Sequence, residues 1–280
     1  MFFSIGRKAR CSGAEWVRWR RFAWVTAVAS GLAFAHAAPG VASPQEGQTG
    51  GVEAKTVQYT VGSLKVDAYV AAPSGAGQHP GLIVIHGDAG LDDQMKQLTR
   101  RFAAAGFVAI APNLSAHPVA AADAGMQAPE DASTTTPQAP TTDRSVDILK
   151  EGYAFLAKYP GVDASRISSV GFGWGGWRSF MLAETVPTLY RAVVYCGRTP
   201  EDGLQNIRAP ILAHYAQFDF RVTGNSVLTE EKMKQMGKKF VDYVYPNLQA
   251  AFFNEKSPQY DADAAKLAWT RTLEFLSTSH

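Results

Sequence analysis

The amino-acid sequence predicts an α/β fold with a mostly parallel central sheet, helices on both faces and an antiparallel hairpin at its amino-terminal edge. From residue 82 onward, short apolar runs alternate with helical patterns, an order typical of βαβ units. Some of these runs, such as residues 82–85, are entirely apolar, which indicates strands buried on both faces of the sheet. Before them, apolar residues alternate on both sides of the turn pair Gly62-Ser63, as expected of a hairpin.

The first 37 residues have the pattern of an export signal. A basic segment ends at Arg21, an apolar run occupies residues 22–35, and Ala35 and Ala37 form an A-x-A cleavage pattern. The apolar run is shorter than the roughly 20 residues that a spanning helix needs. We therefore expect residues 1–37 to be removed on export, leaving a periplasmic or secreted protein with no stable membrane span. An uncleaved anchor or a misassigned start is the alternative.

The composition after residue 37 limits the classes of partner. Cys196 is the only cysteine there, so an intrachain disulfide is excluded for the processed chain. Charged residues make up 19% of the sequence and the formal net charge is +2, which gives no reason to expect a nucleic-acid partner. Residues 38–55 are predicted to form a flexible leader, and residues 56–280 a single domain.

Helices and strands alternate through this domain. An apolar stripe at helical spacing predicts one helix, formed by Val146, Leu149, Tyr153 and Leu156. Further helices are predicted at residues 92–105, 175–184, 229–240 and 261–277. Strands are predicted at residues 107–111, 167–170, 191–196, 210–216 and 241–245. Residues 115–142 consist mostly of Ala, Pro and Thr, which predicts a long surface loop.

The segment VGFGWGGWRSF, residues 170–180, joins a predicted strand to a predicted helix. Its glycines match the G-x-G-x-x-G loop of dinucleotide-binding proteins, but the next strand ends at Cys196 without the acidic residue that would hold a ribose. The segment also matches a nucleophile elbow centred on Gly173, with Gly171 and Gly175 two residues to either side. The elbow interpretation fits this context better. Glycine tolerates the strained turn but supplies no attacking atom.

Five segments together resemble the dienelactone hydrolase family of α/β-hydrolases. They are LIVIHGDAGL, RRFAAAGFVAIAPNL, VDASRISSVGFGWGG, ILAHYAQFD and YPNLQAAFFNEKSPQYDADAAKLAWTRTLEFL, within residues 56–278. The resemblance implies an α/β-hydrolase fold. It also implies a substrate related to esters or lactones, cleaved by a triad of nucleophile, aspartate and histidine.

The departures from the family pattern fall on the chemistry. The family's Cys or Ser nucleophile matches Gly173, its triad histidine matches Ala250, and the glutamate of its first motif matches Gly87, whereas the triad acid is kept as Asp219. In α/β-hydrolases the histidine follows the acid along the chain, and here only His280 does so. We therefore expect a degenerate hydrolase that binds a small molecule or a partner in the former catalytic cleft.

An active ester or lactone hydrolase with substitute residues is the alternative. Cys196 is either a displaced nucleophile or a small buried residue, and His86 is either a base or a structural histidine. The backbone amides of Trp174 and Asp88 are candidates for an oxyanion hole, although the Asp88 carboxylate would repel a developing negative charge. No His or Cys spacing indicates a metal site, and no cofactor is expected.

Overall fold

The computed structural model describes residues 51–115 and 144–278, which belong to one compact unit. The predicted export segment at 1–37 and the leader as far as residue 50 lie outside the described residues. So do His280 and almost all of the predicted loop at 115–142. The domain prediction can therefore be compared with the structure only from residue 51 onward.

An eight-stranded sheet forms the centre of the domain. Its strands are β1 (Val52–Val61), β2 (Leu64–Pro73), β3 (His79–Ile85), β4 (Val108–Pro112), β5 (Val162–Phe172), β6 (Ala192–Tyr195), β7 (Ile211–Ala216) and β8 (Phe240–Tyr245). They lie in the order β1-β2-β4-β3-β5-β6-β7-β8. β2 is antiparallel to both β1 and β4. The six strands β3 to β8 are parallel to one another. The predicted mostly parallel sheet with an antiparallel hairpin at its edge is confirmed.

Helices cover both faces of this sheet. They are α1 (Asp93–Ala104), α2 (Ser145–Ala157), α3 (Trp174–Thr185), α4 (Phe220–Thr223), α5 (Ser226–Gln235) and α6 (Ala262–Ser277). Phe102 of α1 and Leu276 of α6 belong to one buried apolar cluster. Leu149 of α2, Phe180 of α3 and Met233 of α5 belong to another, on the other face. Both faces are therefore sealed, which is why the central strands are largely apolar, with buried polar residues such as Ser168, Ser169 and His214 as exceptions.

Several strands begin earlier than the sequence predicts, β1 and β5 by the most. β1 starts at Val52, so four residues assigned to the flexible leader at 38–55 are paired in the sheet, with Val52 opposite Pro73. β5 starts at Val162 instead of residue 167, and Val162 pairs with His79 of β3. Residues 52–55 read VEAK and residues 162–166 read VDASR, so neither addition contains a continuous apolar run that would indicate a strand. Pairing with a neighbouring strand brings them into the sheet.

The predicted helix at 229–240 is shorter and earlier in the structure. It ends at Gln235, because Gly237 adopts a left-handed conformation with φ 67°. The amide of Gly237 donates to the carbonyl of Lys234 at 2.9 Å, and the amide of Lys238 donates to the carbonyl of Met233 at 2.8 Å. These bonds close the helix end in the usual glycine-dependent way. Phe240, predicted as the last helical residue, is instead the first residue of β8.

The parallel strands direct their carboxyl ends to one edge of the sheet. β4 lies on one side of β3 and β5 on the other, so the chain segments that leave β3 and β5 diverge and open a crevice between them. Within residues 51–115 and 144–278, no helix is both long and apolar enough to cross a bilayer.

Candidate active site

Gly173 forms the joint between β5 and α3. Its backbone has φ 56° and ψ −117°, a region that side chains other than hydrogen rarely tolerate. Its amide donates to the carbonyl of Tyr195 at 2.8 Å, and its carbonyl accepts from the amide of Gly176 at 2.9 Å. A Cβ atom built on Gly173 would have no heavy atom within 4 Å. The turn therefore has the tight strand–turn–helix shape of an elbow, and the space for a side chain is empty.

The glycines around the joint are required by close backbone packing. A Cβ on Gly171 would overlap the carbonyl oxygen of Gly175, and one on Gly175 would overlap the carbonyl oxygen of His86. A Cβ on Gly176 would lie 2.9 Å from the Cα of Gly197. The first turn of α3 thus lies directly against the ends of the neighbouring strands, and Gly173 alone of these positions has room for a side chain.

A cavity of about 800 Å³ opens beside this joint. It brings together most of the positions that the sequence analysis selected, namely Asp88, Gly173, Trp174, Cys196, Asp219 and Ala250. His86 is absent from its lining, as is the aromatic ring of Trp177. The cavity lies at the carboxyl ends of the parallel strands, where α/β proteins place their ligands.

His86 has both ring nitrogens engaged by the backbone. Its Nε2 accepts from the amide of Leu114 at 3.0 Å, so the proton is on Nδ1, which donates to the carbonyl of Gly87 at 2.7 Å. Burial lowers the pKa of the ring below its ordinary value, and the bond to Gly87 and the charges of Asp88 and Asp92 offset this only in part. His86 is thus a neutral, buried tie between the segments that follow β3 and β4, an arrangement that favours a structural role.

Cys196 lines the cavity with its side chain almost fully buried. Burial raises the pKa of its thiol to about 12, and the negative charge of Asp219 adds to the effect. Bonds with the backbone of Ala216 and Ala251 only partly offset this rise. Cys196 also has φ 48°, an unusual conformation for a residue with a side chain. At neutral pH the group is a protonated thiol, which is a poor nucleophile.

Asp219 and Ala250 come from two separate loops that both border the cavity. Asp219 follows β7 and precedes α4, and its carbonyl accepts from the amides of Val222 and Thr223 at 3.1 and 2.8 Å. Ala250 follows β8 and its neighbour Ala251 has φ 66°. This loop brings position 250 to the same cavity as Gly173 and Asp219.

Trp174 and Trp177 pack around a buried arginine in the first turns of α3. Arg178 is inaccessible to solvent, and its guanidinium carbon lies 4.6 Å from the ring centre of Trp174 and 4.0 Å from that of Trp177. On its other side Trp174 stacks with His86 at 6.3 Å. Such contacts between guanidinium and indole are attractive, and they hold the cavity-lining ring of Trp174 in place.

The outer walls of the cavity come from two helices, α1 and α6, whose residues the sequence did not indicate as part of a site. α1 contributes Met95, Leu98 and Arg101, and α6 contributes Lys266 and Trp269. Arg101 stacks on Trp269, with its guanidinium carbon 4.1 Å from the ring centre. These residues meet only because α1 and α6 pack side by side on one face of the sheet. In the sequence, these residues show only the spacing of a helix face. That spacing indicates a buried apolar stripe and does not distinguish it from a binding surface.

Residues 66–280 match the dienelactone hydrolase family. The chain belongs to this family. A Methylorubrum extorquens protein with the provisional name carboxymethylenebutenolidase is 27% identical over 269 residues, 90% of each chain. Protein usf of Aquifex pyrophilus is 31% identical over 231 residues, which cover 78% of this chain and 96% of that protein.

Solved structures agree on the fold. A provisionally named dienelactone hydrolase from Klebsiella pneumoniae superposes with a TM-score of 0.67 at 24% identity, covering 82% of this chain and all of that one. The α/β-hydrolase fold expected from the sequence is thereby confirmed. In this member of the dienelactone hydrolase family, the elbow and the cavity described above occupy the carboxyl edge of the sheet.

Proposed function

We propose that this protein is a catalytically degenerate member of the dienelactone hydrolase family that binds a small ester-like or lactone-like molecule in the cavity beside Gly173. One observation carries the proposal: the centre of the elbow has the strained backbone of a nucleophile position but no side chain. Covalent catalysis needs an attacking atom at this point. Gly173 supplies none.

The base is missing as well. The triad histidine of the family resemblance matches Ala250, whose methyl group cannot accept a proton. Of the histidines at described positions, none lines the cavity: His79 opens β3 at the opposite edge of the sheet, and His86 and His214 are buried. Nucleophile and base act as a unit, so the loss of both removes the proton relay together with the attacking atom.

The substitute residues give little support to the alternative of an active hydrolase. The thiol of Cys196 is held protonated by burial, and both nitrogens of His86 are engaged by the backbone. The carboxylate of Asp88 borders the cavity beside the elbow, where it would oppose the negative charge of a tetrahedral intermediate.

Binding remains well supported by the shape and chemistry of the cavity. Its volume of about 800 Å³ is within the usual range for small-molecule sites. Phe172, Trp174, Phe253 and Trp269 supply apolar aromatic walls. Polar groups such as Asn254, whose side-chain oxygen accepts from Gln94 at 2.6 Å, are available to orient a ligand.

The proposal can be tested by incubating the purified protein with activated aryl esters and small lactones and measuring both binding and hydrolysis. We expect saturable binding, seen as a rise in melting temperature with ligand concentration, without turnover above the buffer rate and without an acyl-enzyme burst. The Cys196→Ala variant is the control for substitute chemistry. Turnover that disappears in Cys196→Ala would contradict the proposal and favour the active hydrolase.

We further propose that the protein acts outside the cytoplasm, after removal of residues 1–37. The basic segment, the apolar run and the A-x-A pattern in the sequence support this proposal. The ligand would then be a molecule available in the periplasm or the surrounding medium.

A further inference from the structure

A second cavity, of about 610 Å³, lies at the edge of the sheet opposite the elbow. Its position follows from where three strands begin: Arg191 immediately precedes β6, Ile211 opens β7 and Phe240 opens β8, and all three residues line it. Phe275, near the end of α6, forms a further part of its wall. This cavity shares no lining residue with the one beside Gly173.

The lining of the second cavity is strongly cationic. Four basic side chains and one carboxylate border it, which are Arg191, Lys234, Lys238, Lys239 and Glu230. Lys238 is held in place by the carbonyls of Gln205 and Ile207, at 2.7 and 2.5 Å. Lys234 and Lys239 are exposed and form no ion pair with any described residue. A net positive charge therefore faces the cavity, and the exposed Lys234 and Lys239 are able to bind an anion.

Arg191 provides a buried positive charge at this site. Its two terminal nitrogens donate to the carbonyls of Phe275 and Thr278, the latter at 2.8 Å, and so cap the end of α6. Its Nε–H is buried and has no acceptor among the described residues. Because this atom is shielded from solvent, it is not a contact for a ligand, and Arg191 instead adds a fixed positive charge to the wall of the cavity.

The remaining walls are apolar. Phe240, Phe275 and Ile211 face the same space as the basic groups. A site that joins cationic donors to aromatic and aliphatic surface suits a ligand with an anionic group and a flat apolar body. A phosphate monoester fits better than a carboxylate, because its dianionic head places more negative charge and a larger number of acceptor oxygens against Lys234 and Lys239.

We propose that this second cavity is a binding site for small organic phosphates that carry an apolar or aromatic group. The lysines would contact the phosphate and the phenylalanines its organic part. A simpler role exists for Lys234, which lies in the last turn of α5, where a cation stabilises the helix dipole. Lys232 lies in the same turn but does not line the cavity, so it is a matched control.

Phenyl phosphate titrated into the ¹⁵N-labelled protein would test this proposal by NMR. We expect saturable shifts of amides at the start of β8 and the end of α6, with a weaker response to inorganic phosphate. In the Lys234→Gln/Lys239→Gln variant the dissociation constant should rise roughly fivefold, as expected for two exposed charge contacts. Lys232→Gln should leave it unchanged.

Three results would overturn the assignment. They are the absence of saturable shifts at millimolar phenyl phosphate, equal affinity in the double variant and the wild type, and shifts confined to the cavity beside Gly173. Benzoate binding more tightly than phenyl phosphate would also reject the preference for phosphate. Equal melting temperatures for the double variant and Lys232→Gln would show that a weaker affinity does not reflect unfolding.

Discussion

The amide of Gly173 donates a 2.8 Å hydrogen bond to the carbonyl of Tyr195, which ties the joint of the elbow to the end of the neighbouring strand β6. This bond involves backbone atoms only. This tie between α3 and β6 therefore does not depend on the side chain at position 173, so a glycine there is compatible with an intact cavity.

Substitutions of the elbow glycines should differ sharply in their effect on stability. Gly173→Ala should lower the free energy of unfolding by about 1–2 kcal/mol, since only the left-handed backbone opposes the added methyl group. Gly175→Ala should cost more than about 3 kcal/mol, because its Cβ would overlap the carbonyl oxygen of His86. Urea denaturation of both variants measures the difference. Equal costs would show that position 173 is as crowded as its neighbours.

The active site should be partly repairable. We expect Gly173→Cys and Ala250→His each to give negligible lactone hydrolysis, and the double variant to exceed their sum by at least about tenfold, because nucleophile and base act together. Steady-state kinetics of the three variants measures this. Adding Asp219→Asn to the double variant is the control and should reduce the gain. A folded double variant that binds a lactone without turnover would mean that the cavity differs from a catalytic site in shape as well as in the residues at positions 173 and 250.

Cys196 should react slowly with alkylating reagents. Because burial raises the pKa of its thiol to about 12, only about one molecule in 10⁴ carries the thiolate at pH 8. The labelling rate should rise about tenfold per pH unit as long as the fold persists. Iodoacetamide labelling followed by peptide mass spectrometry separates Cys196 from Cys11. Labelling of the folded protein as fast as of the urea-unfolded protein would contradict this expectation.

Acid should destabilise the protein through His214. Burial lowers the pKa of this histidine from 6.5 to about 3, and Arg271 adds to the effect. The unfolded chain therefore binds a proton between pH 6.5 and 3 while the folded chain does not. The free energy of unfolding should be highest above pH 6.5 and fall by up to about 1.4 kcal/mol per pH unit within that window.

Urea denaturation of His214→Gln across this pH range tests the assignment. The variant should show a shallower pH dependence than the wild type, although removal of the bonds from His214 to Tyr245 and Thr272 will lower its stability at every pH. Parallel pH profiles for the wild type and His214→Gln would assign the acid sensitivity to other groups.

If the protein is exported as proposed, its mature chain should begin near Ala38. Mass spectrometry of material from the periplasm or medium should find the chain without residues 1–37, because the A-x-A pattern ends at Ala37. Replacement of Ala35 and Ala37 by a bulky residue should block this cleavage. An intact Met1 in the exported fraction would contradict the expectation.

The fold could be predicted from the sequence because each parallel strand is a short apolar run between helical patterns. The prediction fails where apolar content does not decide the structure. Residues 162–166 at the start of β5 contain no continuous apolar run, and they join the sheet where Val162 and Asp163 pair with β3. The end of α5 depends on Gly237, whose role at helix ends is visible in the sequence but is outweighed by the apolar pattern up to Phe240.

The sequence indicates the positions at the centre of the candidate site, around the elbow, but not the helix residues that form the walls of its cavity. Glycine spacing identified the elbow, and the family resemblance identified positions 219 and 250 in loops that the structure brings to one cavity. Arg101 and Trp269 are far apart in sequence and meet through the packing of two helices, for which a single sequence gives no signal. The left-handed backbone of Cys196 is likewise a product of the surrounding packing.

The arrangement of indoles around Arg178 gives the protein an internal optical probe. Of its six tryptophans, three precede residue 25 and would leave with the export segment. The remaining three are Trp174 and Trp269, which line the first cavity, and Trp177, which shares the Arg178 guanidinium with Trp174. Nearly all of the fluorescence of the processed chain would thus originate at or beside the elbow. A ligand that enters the cavity should alter the intensity or wavelength of that emission, which allows unlabelled protein to be screened against small molecules.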